Sequence, residues 1–312
     1  MPLNFEIIRI LIALGGTGLA AVQDYKTSFI DDKIVFSMIG AGAILTLATL
    51  DETLITYTFG IAAAIFVFGF LMYRRGQLGM GDVLLFVGLQ LLLPFQPAIT
   101  ANLLPTGTQV FSIAAFEGMV SPNSPLFVSF NIVKHFTLFI TVFMLSSYFA
   151  AVGTTISYAW KLRGKKLRPN KLYLGVSSAL GLAMLFFLVG TFGLTLFTLL
   201  FIFLLVGMVF FVSFKDQLMR EVIVRKLSIK EFEDEDVLYL EGMSQRLVKK
   251  YGLQRVLTKK EVAKLRKLQK AERVSKFPVL KDLPRFGPYI LAGLIATLVL
   301  GDIFTIMVLL SY

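Results

Sequence analysis

Residues 78–86 read LGMGDVLLF: an aspartate, Asp82, stands at the mouth of an apolar run, with Gly79 and Gly81 flanking Met80 just ahead of it. Apolar runs of this kind decide the fold. The chain has 312 residues, of which 56% are hydrophobic and only 16% charged, and its mean hydropathy is +0.76. The apolar residues fall in blocks of about 17–25, the length at which a helix spans hydrocarbon. They predict an all-α polytopic membrane protein with about eight transmembrane helices, near 5–23, 34–50, 54–73, 80–97, 136–159, 172–190, 194–214 and 286–310. The stretch 172–214 is about twice too long for one crossing at ~1.5 Å per residue, so it is divided at VGTFG (Val189–Gly193). The first block lacks a basic leading region and is long enough to span, so no cleavable signal peptide is expected.

Charge sets the orientation. If the loop 24–33 is cytoplasmic, alternation puts 73–79, 160–171 and 215–285 on the same side, and these four segments hold 29 of the 31 Lys and Arg residues. By the positive-inside bias, both termini then lie outside. The net charge of +11 is thereby explained by cytoplasmic loops facing a lipid bilayer, and no nucleic-acid partner is expected. Arg9 is the misfit, near the outer end of the first span, and is expected to snorkel to that interface. The chain has no cysteine, which excludes disulfides, thiolate metal sites and a cysteine nucleophile. Its one histidine, His135, cannot build a multi-histidine metal site, and no metal is expected.

Three parts follow: 1–214 with seven spans, 215–285 as a cytoplasmic piece, and 286–312 with the last span. In the middle part, Ser228 with Glu231 and Thr258 with Glu261 have capping-box spacing, and Val262, Leu265 and Leu268 recur at helical intervals. A small helical subdomain is expected. Its Lys/Arg-rich helix either lies near anionic headgroups or is an ordinary solvated face.

Ionisable groups inside a membrane are costly and are therefore candidates for function. Glu6, Asp24, Asp82 and Asp302 lie in or at the ends of spans; Asp31, Asp32 and Asp51 read as loop or cap residues. Depth separates the four. Asp24 closes the first span and Asp82 opens the fourth on the same side, whereas Asp302 lies over ~20 Å from that end and Glu6 lies at the outer end. Only Asp24 and Asp82 can pair. Two carboxylates held within a few ångströms cannot both ionise cheaply, which leaves one acid and one base at neutral pH. Such a pair suits peptide hydrolysis by an activated water. Gly79 and Gly81 would loosen the backbone before Asp82 and let a substrate strand approach. An Asp in a helix's first turn is also favourable through the dipole alone.

The stretch QDYKTSFIDDKI (Gln23–Ile34) resembles the first signature of the type IV prepilin peptidases: an aspartate ending the first span, a basic residue two on, then an aliphatic residue and a turn into the second span. GMGD (Gly79–Asp82) resembles the second, shared by the GxGD intramembrane aspartyl proteases. PRFGPYILAGLIATLVLGD (Pro284–Asp302) resembles the family's closing helix. The loop between the first two spans is about ten residues long and there is no cysteine pair, so the likeness is to the archaeal prepilin and preflagellin peptidase branch. It does not extend to the methylating activity of many bacterial members.

The resemblance implies an aspartic endopeptidase with Asp24 and Asp82 as the catalytic pair and Gly79 and Gly81 as motif glycines. It further implies a multi-pass cell-membrane enzyme of type IV pilus or archaellum biogenesis, acting at the cytoplasmic face. The implied partners are pilin-like or archaellin-like precursors with a short basic leader, and no cofactor is needed because water is the nucleophile. The acidic run Glu231, Glu233, Asp234, Glu235 and Asp236 either attracts that leader or forms a solvated capping turn. Two other readings use the same residues differently: a proton- or cation-coupled transporter with the aspartates as a relay, and a non-catalytic scaffold for pilus assembly.

Overall fold

In the computed structural model, residues 3–97, 125–232, 236–272, 274–281 and 284–301 are described. Helices occupy all eight expected apolar segments: α1 (Leu3–Thr27), α2 (Asp32–Leu47), α3 (Glu52–Arg74), α4 (Met80–Leu92), α5 (Pro125–Leu162), α6 (Lys171–Phe192), α7 (Leu196–Leu218) and, after the middle part, α10 (Gly287–Leu300). Five of them, α1, α3, α5, α6 and α7, are long and apolar enough by length and composition to cross a membrane. The expected outer ends of the last span and of the loop 98–135 fall partly outside the described residues, but 125–135 is already helical and belongs to α5.

The boundaries have local causes. α1 runs one turn past Asp24 and stops at Ser28, whose φ of 58° is left-handed. Asp31 and Asp51 cap α2 and α3, accepting from the backbone N–H of Lys33 and Leu54, as loop or cap aspartates should. α4 ends at Leu92 rather than continuing to 97, because Pro94 forces Leu93 out of the helical region.

α4 is the axis of the bundle. Every residue from Val83 to Leu92 is buried, in a core shared with α1, α2, α3, α5 and α10. Small residues let the helices close up without any water-driven force between them. A methyl on Gly42 of α2 would stand 2.8 Å from Leu91 Cβ, and one on Gly293 of α10 would stand 2.2 Å from Ser146 Oγ of α5. Phe86 of α4 is the aromatic hub on the Asp82 side, with ring centroids 5.7 Å from Phe139, 5.7 Å from Phe143 and 6.2 Å from Phe286. α6 and α7 pair with one another and touch the rest through α5. Many of their large apolar side chains are exposed, as lipid-facing residues would be.

Arg9 does not snorkel. It is 2% exposed, and its guanidinium donates to the carbonyls of Leu91 (3.2 Å) and Leu92 (2.9 Å) and reaches Thr46 Oγ1 (3.4 Å). Those carbonyls end α4, where Pro94 leaves them without further helical donors, so a buried cation finds acceptors there.

The middle part is not purely helical. A π turn (Met219–Ile223) carries α7 directly into β1 (Val224–Leu227); β2 (Val237–Leu238), α8 (Gln245–Tyr251), α9 (Lys259–Glu272) and β3 (Phe277–Leu280) follow. The three strands form an antiparallel sheet in the order β1-β3-β2, with Leu227 opposite Phe277 and Leu238 opposite Val279. Leu265 and Leu268 of α9 do point into its core, against Leu238, Leu253, Leu257, Phe277 and Val279. The sheet escaped the sequence because its strands are two to four residues long and one contains a proline, Pro278.

This subdomain rests on the membrane helices at their Asp82 end. Gly76, in the loop between α3 and α4, has φ +68°, and a methyl there would stand 3.3 Å from Val237 Cγ1 and 3.8 Å from Arg255 Cβ. At its other end, β3 leads within a few residues into α10.

Candidate active site

Asp24 lies in the last turn of α1 and Asp82 in the first turn of α4. The alternation of the helices puts both at one end of the bundle, and there the two carboxylates are near enough for their charges to act on each other. Asp24 is 7% exposed, and Asp82 is partly buried. Each is held by backbone. Asp82 is the third residue of α4, and its carboxylate turns back onto the N–H of Gly79, the N-cap residue. Asp24 Oδ2 accepts the N–H of Gly287, the first residue of α10, at 2.8 Å.

The two motif glycines serve different ends. Gly79 is extended and precedes the helix, with φ −71° and ψ 148°. Gly81 lies within α4 and does not unwind it. Its bare Cα instead receives Ile30 from the α1–α2 loop, whose Cβ would be 3.0 Å from a methyl at that position.

Sequence reasoning singled out the closing helix but assigned no role to Arg285 or Gly287. Arg285 Nε donates to Ser28 Oγ at 3.0 Å, its NH1 donates to the Tyr25 carbonyl, and its guanidinium carbon lies 5.5 Å from the centre of the Tyr25 ring. The signal was legible in RFGP. A helix opening with Gly-Pro offers one free N–H, on the glycine, because the proline has none.

Other candidates fall elsewhere. Glu6 lies at the opposite end, lining with Arg9, Asp51, Tyr57 and Gln96 a cavity of about 430 Å³. The cavity's buried cation, Arg9, donates to the carbonyls that end α4. Asp302, Glu233, Asp234 and Glu235 lie outside the described residues. Of the remaining acidic run, Glu231 closes a capping box on Ser228, accepting its N–H at 2.7 Å, and Asp236 pairs with Lys281 at 2.9 Å. Both are engaged by the subdomain's own structure. At the second expected box, the Glu261 N–H lies 3.4 Å from Thr258 Oγ1, but the Glu261 carboxylate takes the Gln254 N–H instead. No group of three or more metal-ligating side chains occurs among the described residues.

Comparison with known proteins bears on one part of the chain. The model of the type IV leader peptidase family matches residues 11–156, just under half of the chain. The prepilin peptidase EppA of Methanothermobacter thermautotrophicus is 30% identical over 143 residues, which is 45% of this chain and 35% of that protein. The chain thus spans about a third of the length of the curated relative it matches. No solved structure matches. Asp24, Gly79, Gly81 and Asp82 lie inside the matched segment; Arg285 and Gly287 lie outside it.

Proposed function

We propose that the protein, whose residues 11–156 match the model of the type IV leader peptidase family, is a membrane aspartyl endopeptidase with Asp24 and Asp82 as its catalytic pair. Its substrates are pilin-like or archaellin-like precursors, cut at the cytoplasmic boundary to release a short basic leader. The observation that carries this reading is the placement of the two carboxylates, on separate helices, at one end of the bundle and in electrostatic reach of each other.

The chemistry needs only these two groups and water. The ionised carboxylate takes a proton from a water molecule as its oxygen bonds to the scissile carbonyl carbon, while the protonated partner gives its proton to the carbonyl oxygen. The tetrahedral diol then collapses: the C–N bond breaks, the leaving nitrogen takes a proton from the first carboxyl, and one diol hydroxyl returns its proton to the second carboxylate, restoring the pair. The precursor's hydrophobic helix lies against the spans and presents its leader where water and carboxylates meet. At that boundary an irregular backbone can be solvated.

The test is cleavage of a panel of precursors by the purified full chain. Asp24→Asn and Asp82→Asn should each lower kcat by roughly 10²–10⁴-fold, the contribution of a general acid–base group, and both should still insert in membranes. Substantial cleavage by either variant refutes the assignment. Ion-dependent flux without peptide cleavage supports the transporter reading instead.

A further inference from the structure

We infer that the turn Arg285–Phe286–Gly287, ahead of α10, is the positioning element of the Asp24 carboxylate. The inference rests on the reading of Asp24 and Asp82 as the hydrolytic pair, and it adds residues that the family-matched segment does not contain.

Three observations converge on it. First, the Gly287 N–H points at Asp24 Oδ2 from 2.8 Å in a buried contact. As the first residue of α10, Gly287 has no acceptor within its own helix. Pro288 offers no N–H, and the N–H groups of Tyr289 and Ile290 both return to the Phe286 carbonyl. One donor is therefore free at this helix start, and it is spent on Asp24. Second, the absence of a side chain at Gly287 is what allows the approach: a methyl there would stand 3.0 Å from Asp24 Oδ2, 3.1 Å from Asp24 Cβ and 3.4 Å from Ala21 Cα. Third, Arg285 fastens the turn to the end of α1, through Ser28 Oγ, the Tyr25 carbonyl and the face of the Tyr25 ring. The other side of the turn is fixed by Phe286, which packs on Phe86 one helical turn beyond Asp82.

The consequence is geometric. Asp24 lies in the last turn of α1, and the hydrogen bond its carboxylate accepts comes from the start of α10. The turn supplies a donor that fixes one oxygen and leaves the other for water or for the proton shared with Asp82. Neither residue touches substrate in this scheme.

A role in positioning predicts a change in kcat and not in KM. Gly287→Ala should displace the carboxylate and lower kcat by about 10–100-fold, since a misplacement near 1 Å costs up to that much, with KM for a precursor peptide within about twofold of wild type. Arg285→Gln should lower kcat by about 10-fold, and Arg285→Lys should recover part of that loss. Melting behaviour in detergent identifies which variants are folded; if Gly287→Ala is not, Arg285→Gln, at an exposed side chain, carries the test. Wild-type kcat in the folded variants, or losses confined to KM, overturns the inference. Amide exchange tests the contact independently of activity: the Gly287 N–H should be protected in wild type and exchange faster in Asp24→Ala, and unchanged exchange overturns it. The two proposals fail differently. A wild type that cleaves nothing, or an active Asp24→Asn, removes the peptidase reading and this inference with it. Active wild type, dead Asp24→Asn and unaffected turn variants remove this inference alone.

Discussion

Asp24 Oδ2 and the Gly287 N–H meet at 2.8 Å across a sequence separation of 263 residues. The first helix of the chain thus has the end of its carboxylate fixed by the start of the last. This contact falls on a residue proposed to perform the chemistry.

Removing the buried cation at the far end of the bundle should loosen α4 without touching the aspartates. Arg9→Met takes the guanidinium donor from the Leu92 carbonyl, while the Leu91 carbonyl keeps the Thr46 hydroxyl at 3.0 Å, and a buried acceptor left unpaired costs about 1–3 kcal/mol. The melting midpoint in detergent should fall while precursor KM stays unchanged. An unaltered midpoint would show that the guanidinium contributes nothing net.

Phe86 should matter more. Phe86→Ala removes the ring that three others surround, and truncations of this kind cost about 3–5 kcal/mol. Phe286, its neighbour, adjoins Gly287, so Phe86→Leu is expected to lower kcat even where the melting midpoint is largely kept. Equal activity and stability in both variants would sink this expectation.

Gly76→Ala forces a side chain into a left-handed conformation at a cost of about 1–2 kcal/mol, and the added methyl meets Val237 at 3.3 Å. Limited proteolysis should then cut the α3–α4 loop or the 236–258 stretch faster than in wild type. Resistance identical to wild type would show that the subdomain does not rest on that loop.

Acidification should loosen one tie within the subdomain. The Lys250 ammonium, hydrogen-bonded to Glu272 at 2.7 Å, holds that carboxyl below the usual glutamate range. Folding therefore favours the ionised form. Its contribution is present at neutral pH and is lost as pH falls through the lowered folded value. Both groups are solvent-exposed, so the effect is local and sensitive to salt. Amide protection over Gln245–Tyr251, corrected for intrinsic exchange, should drop on acidification in wild type and be nearly flat in Glu272→Gln.

The membrane part was legible because its signals are long and redundant. Eight apolar blocks predicted eight helices, and the depth argument put Asp24 and Asp82 at one end of the bundle and Glu6 at the other, as the helices have them. What could not be read were features produced by partners distant in sequence. Arg9 looked like an interface cation because nothing local reveals that Pro94, 85 positions on, leaves acceptors at its depth. Gly81 reads as a loosened backbone, but it lies within α4 with Ile30 packed over its bare Cα. The subdomain's sheet was hidden in strands too short to show alternation, whereas Leu265 and Leu268 were found because a 14-residue helix repeats its pattern.

The left-handed turn at Gly76 has a bearing on how the chain is divided. A boundary drawn at the end of the family-matched segment would cut away Val237, Arg255, Arg285 and Gly287 together, the residues that face Gly76 ahead of α4 and the Asp24 end of α1. The segment that resembles known proteins and the set of residues that braces its aspartate-bearing end are therefore different objects: the first lies within 11–156, and the second draws on Val237, Arg255, Arg285 and Gly287.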